Sequence, residues 1–140
     1  MVHKLTLLWR LALSALVLLC TSPNALAEEK KETPQYVEFA GVPFAIVEDG
    51  KIVQYVFVSF RMGIVVPDVA HTVKIYNARP YIRDAIIRSS YKSYLGIAGQ
   101  PGKLDKAKMN AVIKEAWTRH LGAKDMGKIM ILDVRPGPPL

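Results

Sequence analysis

The sequence predicts an α+β fold, in which a mainly antiparallel sheet carries amphipathic helices packed on one face. Residues 52–66 alternate between two kinds of side chain, as a strand does, and the turn-forming pair Asp49-Gly50 joins them to an earlier apolar run. Two segments with helical spacing of apolar residues follow, and a short β-branched run comes last. The predicted order is therefore strand, strand, helix, helix, strand.

Residues 1–27 have the pattern of a secretory signal peptide. Lys4 and Arg10 precede an apolar run over residues 11–20, and Ala25-Leu26-Ala27 supplies the small residues of a cleavage site. A membrane-spanning helix needs ~20 apolar residues, which this segment does not reach before it meets a proline. Cleavage after Ala27 is therefore favoured over the alternative, a short uncleaved membrane anchor. Both alternatives predict an exported domain.

The remaining chain divides into a leader at residues 28–36, one domain at residues 37–135 and a tail at residues 136–140. The leader mixes charges with proline and is expected to be flexible. A length of 140 residues with 51% hydrophobic content is typical of a single globular domain. Cys20 is the only cysteine, so no intramolecular disulfide can form.

The first two strands are predicted to form a hairpin. The first covers residues 36–47, and because Gly41 and Pro43 interrupt it, we expect a sheet edge or a bulge there. The second has an apolar core face made by alternate residues: Val56, Val58, Phe60, Met62 and Ile64. Its other face is aromatic near the turn and polar further on.

The central helix is predicted at residues 80–95, with Pro80 in its first turn. Helical spacing gathers branched and small residues on one narrow face: Ile82, Ala85, Ile86, Ser89 and Ser93. Of these, Ile82, Ala85 and Ile86 are the predicted core of the helix. Asp84 and Arg88 are four residues apart, in the order that favours an ion pair. Residues 69–78 leave two alternatives open: earlier turns of this helix, bent at Pro80, or a separate short helix.

A loop, a second helix and a last strand follow. Residues 96–102 contain three glycines and a proline and are predicted to be a loop. Asp105 is expected to cap the second helix between the apolar pair Leu104 and Met109, and Gly122 to end it. Its apolar face is predicted to contain Met109, Val112, Ile113, Ala116, Trp117 and His120. Residues 129–134 form the last strand, which the following prolines are expected to stop.

Catalytic and metal-binding motifs are not found. The histidines are His3, His71 and His120, and no pair of histidines or carboxylates has the spacing of metal ligands. The sequence also contains no phosphate-binding glycine loop, no nucleophile elbow and no cysteine suited to be a nucleophile. It therefore predicts a protein that is not an enzyme and has neither a cofactor nor a small-molecule substrate.

Charge is distributed unevenly along the chain. Residues 74–128 contain 12 basic and 4 acidic residues, whereas residues 28–72 contain 4 basic and 7 acidic ones. Lysines that merely keep helices soluble would give this excess, and so would binding to an anionic membrane surface or an acidic protein. Export and the lack of a recognised motif argue against nucleic acid. Arg83, Arg88 and Lys92 lie away from Ile86 on the central helix and are the candidate partner-binding residues.

Several of these segments together resemble one protein family. The runs PFAIV at residues 43–47 and YVFVSFRM at residues 55–62 are similar to the paired strands of flagellar basal-body-associated FliL proteins. The similarity continues through PYIRDAII at residues 80–87, Gly102-Lys103-Leu104, an amphipathic helix and a closing strand. It extends over residues 37–134.

The resemblance implies a stomatin-like, non-enzymatic domain in the periplasm. Such a domain would associate with itself in a ring and bind flagellar stator or basal-body proteins near the inner membrane, in support of motor function and motility. The usual FliL protein has a cytoplasmic tail and a membrane helix, whereas this chain begins with a signal-like segment. The alternative prediction is therefore a periplasmic binding module, whose basic helices hold an anionic ligand, lipid headgroups or an acidic protein.

Overall fold

A three-stranded sheet and a pair of helices form the two main layers of the molecule. The computed structural model describes residues 35–65 and 68–140. Its elements are β1 (Gln35–Glu48), β2 (Lys51–Ile64), α1 (Val69–Ser90), β3 (Gly96–Ile97), β4 (Gln100–Leu104), α2 (Lys106–Leu121) and β5 (Met126–Pro139). The predicted α+β class and the order of the long elements are confirmed. The predictions for residues 1–27 and for most of the leader lie outside the described residues.

The main sheet has the order β1-β2-β5, and both pairs of strands are antiparallel. Asp49 and Gly50 connect β1 to β2 with φ angles of +49° and +74°, which suits the type I′ turn that matches the twist of a hairpin. The predicted bulge is also confirmed, because the register shifts between Phe39 and Val42. Gly41 lies in this bulge with a φ of +55°, where an L-residue would be strained.

One hydrophobic core joins the sheet to the helices. On β2 the predicted core face is buried at Val56, Val58, Phe60 and Met62, while Ile64 at the strand end is half-buried. The Phe39 ring stacks on Phe60 with centroids 4.9 Å apart. The predicted helix core is confirmed as well, because Ile82, Ala85 and Ile86 are all buried in this cluster.

The prediction that the central helix begins at Pro80 is wrong. α1 runs from Val69 to Ser90 as one helix, so residues 69–78 are earlier turns of this helix and not a separate short helix. Asp68 caps the helix, since its Oδ1 accepts the N–H of His71 at 2.8 Å. Ile75 and Ala78 continue the face of Ile82 at helical spacing and contact the core. This packing offsets the hydrogen bond that Pro80 cannot donate.

The end of α1 also differs from the prediction. The helix ends at Ser90 and not near residue 95, and Ser90 is the buried serine, whereas Ser89 and Ser93 are half-buried. The Ser90 hydroxyl donates to Ile87 O at 2.7 Å and accepts the N–H of Ala45 at 3.1 Å. Because a buried hydroxyl needs hydrogen-bond partners, these two bonds explain why this serine is tolerated in the core.

The predicted loop at residues 96–102 is instead a small hairpin, formed by β3 and β4. The predicted caps of α2 are confirmed: Asp105 Oδ1 accepts the N–H groups of Ala107 and Lys108, and Gly122 ends the helix with a φ of +84°. His120 is exposed, against the prediction, and its ring lies 6.4 Å from that of Tyr81. An imidazole in the last helical turn keeps its polar nitrogens in water there, and Leu121 is buried beside it.

β5 extends further than predicted at both ends, and the tail at residues 136–140 is mostly strand. Val56 lies opposite Pro136 and Gln54 opposite Pro139. β5 is an edge strand, and prolines are tolerated there because one side of the strand needs no donors. At the other terminus, β1 begins at Gln35, so the last two residues of the predicted leader also belong to the sheet.

Two glycines allow β2 and β5 to approach closely at one end of their pairing. A Cβ atom on Gly127 would lie 2.6 Å from Gly63 O, a distance that forces the backbone to shift. We therefore expect Gly127→Ala to lower the free energy of unfolding by about 1–3 kcal/mol, measured by chemical denaturation. Lys128→Ala, an exposed neighbour on the same strand, is the control and should change it by less than about 0.5 kcal/mol. Equal effects of the two substitutions would contradict this close approach.

Candidate interaction surface

The end of α1 and the middle of α2 border a shallow, charged groove, here called the basic groove. Its volume is about 280 Å³. Six residues line it: Arg88, Ser89, Lys92, Ser93, Glu115 and Arg119. Three are cations and one is an acid, so the groove favours an anionic group.

Two ion pairs hold the arginines of the basic groove in place. Arg88 Nε lies 2.9 Å from Asp84 Oδ2, and Arg119 Nη2 lies 2.6 Å from Glu115 Oε1. Both pairs join residues four apart on one helix and are largely exposed. Lys92 has no ion pair with any residue in the described part of the chain. Three cations against two carboxylates leave a net charge of +1, and each guanidinium keeps further N–H donors for a partner.

The turn that carries Lys92 is tied to the end of α1. The Lys92 N–H donates to Ser89 O at 3.1 Å, and the Ser93 hydroxyl donates to the same carbonyl at 2.7 Å. A hydrogen bond with Tyr55, together with partial burial, raises the pKa of Tyr91. These contacts fix the position of Lys92 relative to Arg88.

Arg83, the third candidate residue, lies apart from the basic groove. Its Nη1 donates to Ala40 O at 3.1 Å and its Nη2 donates to Gly41 O at 3.2 Å. The guanidinium thus binds the backbone of the β1 bulge, where two carbonyl groups leave the regular ladder. The structure therefore brings Arg88 and Lys92 together and gives Arg83 a positioning role for β1.

Sequence reasoning missed Arg119 and Glu115 as members of this surface. Both were recognisable as polar positions of an amphipathic helix, but their contact with the end of α1 depends on how the two helices pack. A sequence contains no local signal for that pairing.

A second charged contact was also not anticipated. His71 Nε2 lies 2.7 Å from Asp125 Oδ2, and both side chains are mostly buried. The contact is a short polar pairing of the imidazole with the carboxylate. It connects the first turn of α1 to the segment between α2 and β5. Within residues 35–65 and 68–140, no three potential metal ligands converge.

Among the helices that the structure describes, none is long and apolar enough to span a membrane. No protein-family model, curated protein or solved structure matches this chain.

Proposed function

We propose that this domain is a non-enzymatic, FliL-like protein of the periplasm that supports the flagellar motor by binding an acidic surface of a stator or basal-body protein. The observation that carries this proposal is the basic groove, in which Arg88 from α1, Lys92 from the turn after α1 and Arg119 from α2 converge. The resemblance of residues 37–134 to FliL proteins supports the choice of partner. The same resemblance is the basis for proposing that the domain associates with itself in a ring and lies near the inner membrane.

Stability of the fold does not account for the basic groove. Exposed ion pairs each contribute ~0–1 kcal/mol, and Lys92 is unpaired with any described residue. Three fixed cations would instead speed the approach of an acidic surface and form charge-assisted hydrogen bonds with its carboxylates. Binding at such an interface depends on the attraction between opposite charges, so reversing the charge of the groove should abolish binding.

The proposal is tested by complementation of a gene deletion. In the source organism, loss of the gene should reduce spreading in soft agar, and the wild-type gene should restore it. Arg88→Glu combined with Lys92→Glu should fail to restore it, because like charges would then face each other across the interface. Far-UV circular dichroism of the purified variant should be unchanged, since both side chains are exposed.

Lys74→Glu combined with Lys128→Glu is the matched control. It makes the same change in net charge at two exposed positions outside the basic groove, and we expect it to restore spreading. Normal spreading with the groove variant would exclude this surface as the interface. Normal spreading of the deletion strain would overturn the motor proposal and leave a small anionic ligand or a lipid headgroup as the occupant of the groove.

A further inference from the structure

A second groove lies away from the basic groove. It is an open groove of about 800 Å³ between the start of α2, the β3–β4 hairpin and the outer half of β5. Its wall is mainly hydrocarbon, from Ile97, Leu104, Met109, Ile131, Val134 and Pro136. We call it the apolar groove. Volumes of 300–1,000 Å³ with an apolar lining and a few polar groups are typical of small-molecule sites.

Two lysines border the apolar groove. Lys103 and Lys106 are exposed on its rim. Neither lysine forms an ion pair with any other residue that the structure describes. Asp105 lies between them, but its Oδ1 accepts the N–H groups of Ala107 and Lys108 at 2.9 Å and 3.2 Å. The helix stabilises this carboxylate but does not remove its charge, so Lys103, Lys106 and Asp105 give the rim a net charge of +1, which favours an anionic group beside an apolar one.

The backbone of β5 makes it unfavourable for a strand of another protein to bind in the apolar groove by pairing with the edge of the sheet. Pro136, Pro138 and Pro139 have no N–H, and a register shift near Leu132 interrupts the regular ladder. Strand addition depends on a continuous row of donors and acceptors, and prolines and bulges are features that protect sheet edges. An alkyl chain needs no hydrogen bonds and can lie along Ile131 and Val134 without this restriction.

We propose that the apolar groove binds a free fatty carboxylate of medium chain length. The alkyl chain would lie against Ile131 and Val134, and the carboxylate would lie between Lys103 and Lys106. This inference is independent of the proposed function, because it uses none of the residues of the basic groove.

The proposal predicts how affinity depends on the ligand. The protein, purified with the N-terminus that export leaves, is titrated by calorimetry with octanoate, decanoate and dodecanoate, each below its critical micelle concentration. Burial of one methylene should tighten binding about fourfold, so each two-carbon step should lower the Kd about fifteenfold. Dodecyltrimethylammonium, with the same chain and a positive head, should bind at least tenfold more weakly than dodecanoate.

Two pairs of variants locate the site. Val134→Asp places a charge in the groove wall and should abolish dodecanoate binding, whereas Leu132→Asp on the same strand should leave the Kd unchanged. The two side chains are comparably exposed, at 43% and 46%, but only Val134 lines the groove. Lys103→Glu with Lys106→Glu should weaken binding more than tenfold, and Lys124→Glu with Lys128→Glu should not. Circular dichroism checks that each variant is folded, and the lysine pair tests the site even if Val134→Asp unfolds.

Several results would overturn the proposal. They are no saturable heat with dodecanoate, equal affinity for the cationic amphiphile, and binding that the groove variants leave unchanged. Binding to anionic phospholipid vesicles without binding of monomeric dodecanoate would assign the groove to a membrane surface. A dimer that Val134→Asp dissociates, without carboxylate binding, would assign it to a second copy of the chain.

Discussion

Replacing Trp117 with alanine is expected to lower the free energy of unfolding by about 3–5 kcal/mol. The indole is the largest of the fully buried side chains, and it lies in the cluster that joins α2 to the sheet. Small domains have a total stability of about 5–15 kcal/mol, so this loss would remove a large share of the stability. Urea unfolding followed by circular dichroism measures the effect.

Trp117→Phe is the comparison that separates volume from polarity. The Nε1–H of Trp117 is buried and has no hydrogen-bond partner among the described residues, and burial of an unpaired donor costs about 1–3 kcal/mol. Phenylalanine removes this donor and keeps most of the ring. We therefore expect Trp117→Phe to lose less than half of what the alanine variant loses. A stability of Trp117→Ala equal to that of the wild type would mean that α2 does not pack in this register.

Ile86→Ala is expected to lower the free energy of unfolding by about 2–5 kcal/mol. Ile86 is fully buried in the middle of α1, so removal of its three outer carbons leaves a cavity between the helix and the sheet. Differential scanning calorimetry should show a clearly lower Tm. Val73→Ala on the same helix removes a half-exposed side chain and should cost less than about 0.5 kcal/mol. If the two variants had the same Tm, the assignment of which face of α1 is buried would be wrong.

The sheet and its hairpin could be predicted because their signals are local. Alternation along β2 identifies which side chains are buried, and Asp49-Gly50 identifies where the chain turns. The bulge was also recognisable, since Gly41 and Pro43 both disfavour a regular ladder. The caps Asp105 and Gly122 were predictable for the same reason, because each acts on backbone groups within a few residues.

The errors arose where tertiary packing outweighed local preference. Pro80 usually stands at the start of a helix, yet contacts of Ile75 with the core maintain the helix on its N-terminal side. Likewise the prolines after Arg135 usually end a strand, yet a sheet edge tolerates them. In both cases proline has the local preference that the prediction used, but contacts with residues distant in the sequence determined where the helix begins or the strand ends.

Packing between distant parts of the chain also explains why only part of the interaction surface could be predicted. The exposure of Arg83 and Arg88 follows from the helix period, since both lie away from Ile86, whereas Lys92 is exposed in the turn that follows α1. The partners of these residues do not follow from the helix period, because Arg119 reaches the groove from a different helix and Arg83 binds a bulge about forty residues earlier in the chain.

The contacts between α1 and β1 also bear on how the protein resists aggregation. Arg83 binds the carbonyls of Ala40 and Gly41, and Ser90 binds the N–H of Ala45, so helix side chains occupy polar groups of β1 that a neighbouring chain could otherwise pair with. Exposed strand edges start the growth of fibrillar aggregates. These contacts therefore protect β1 against edge-to-edge pairing between chains, and we expect loss of Arg83 to shorten the time for which a concentrated solution of the protein stays free of aggregates.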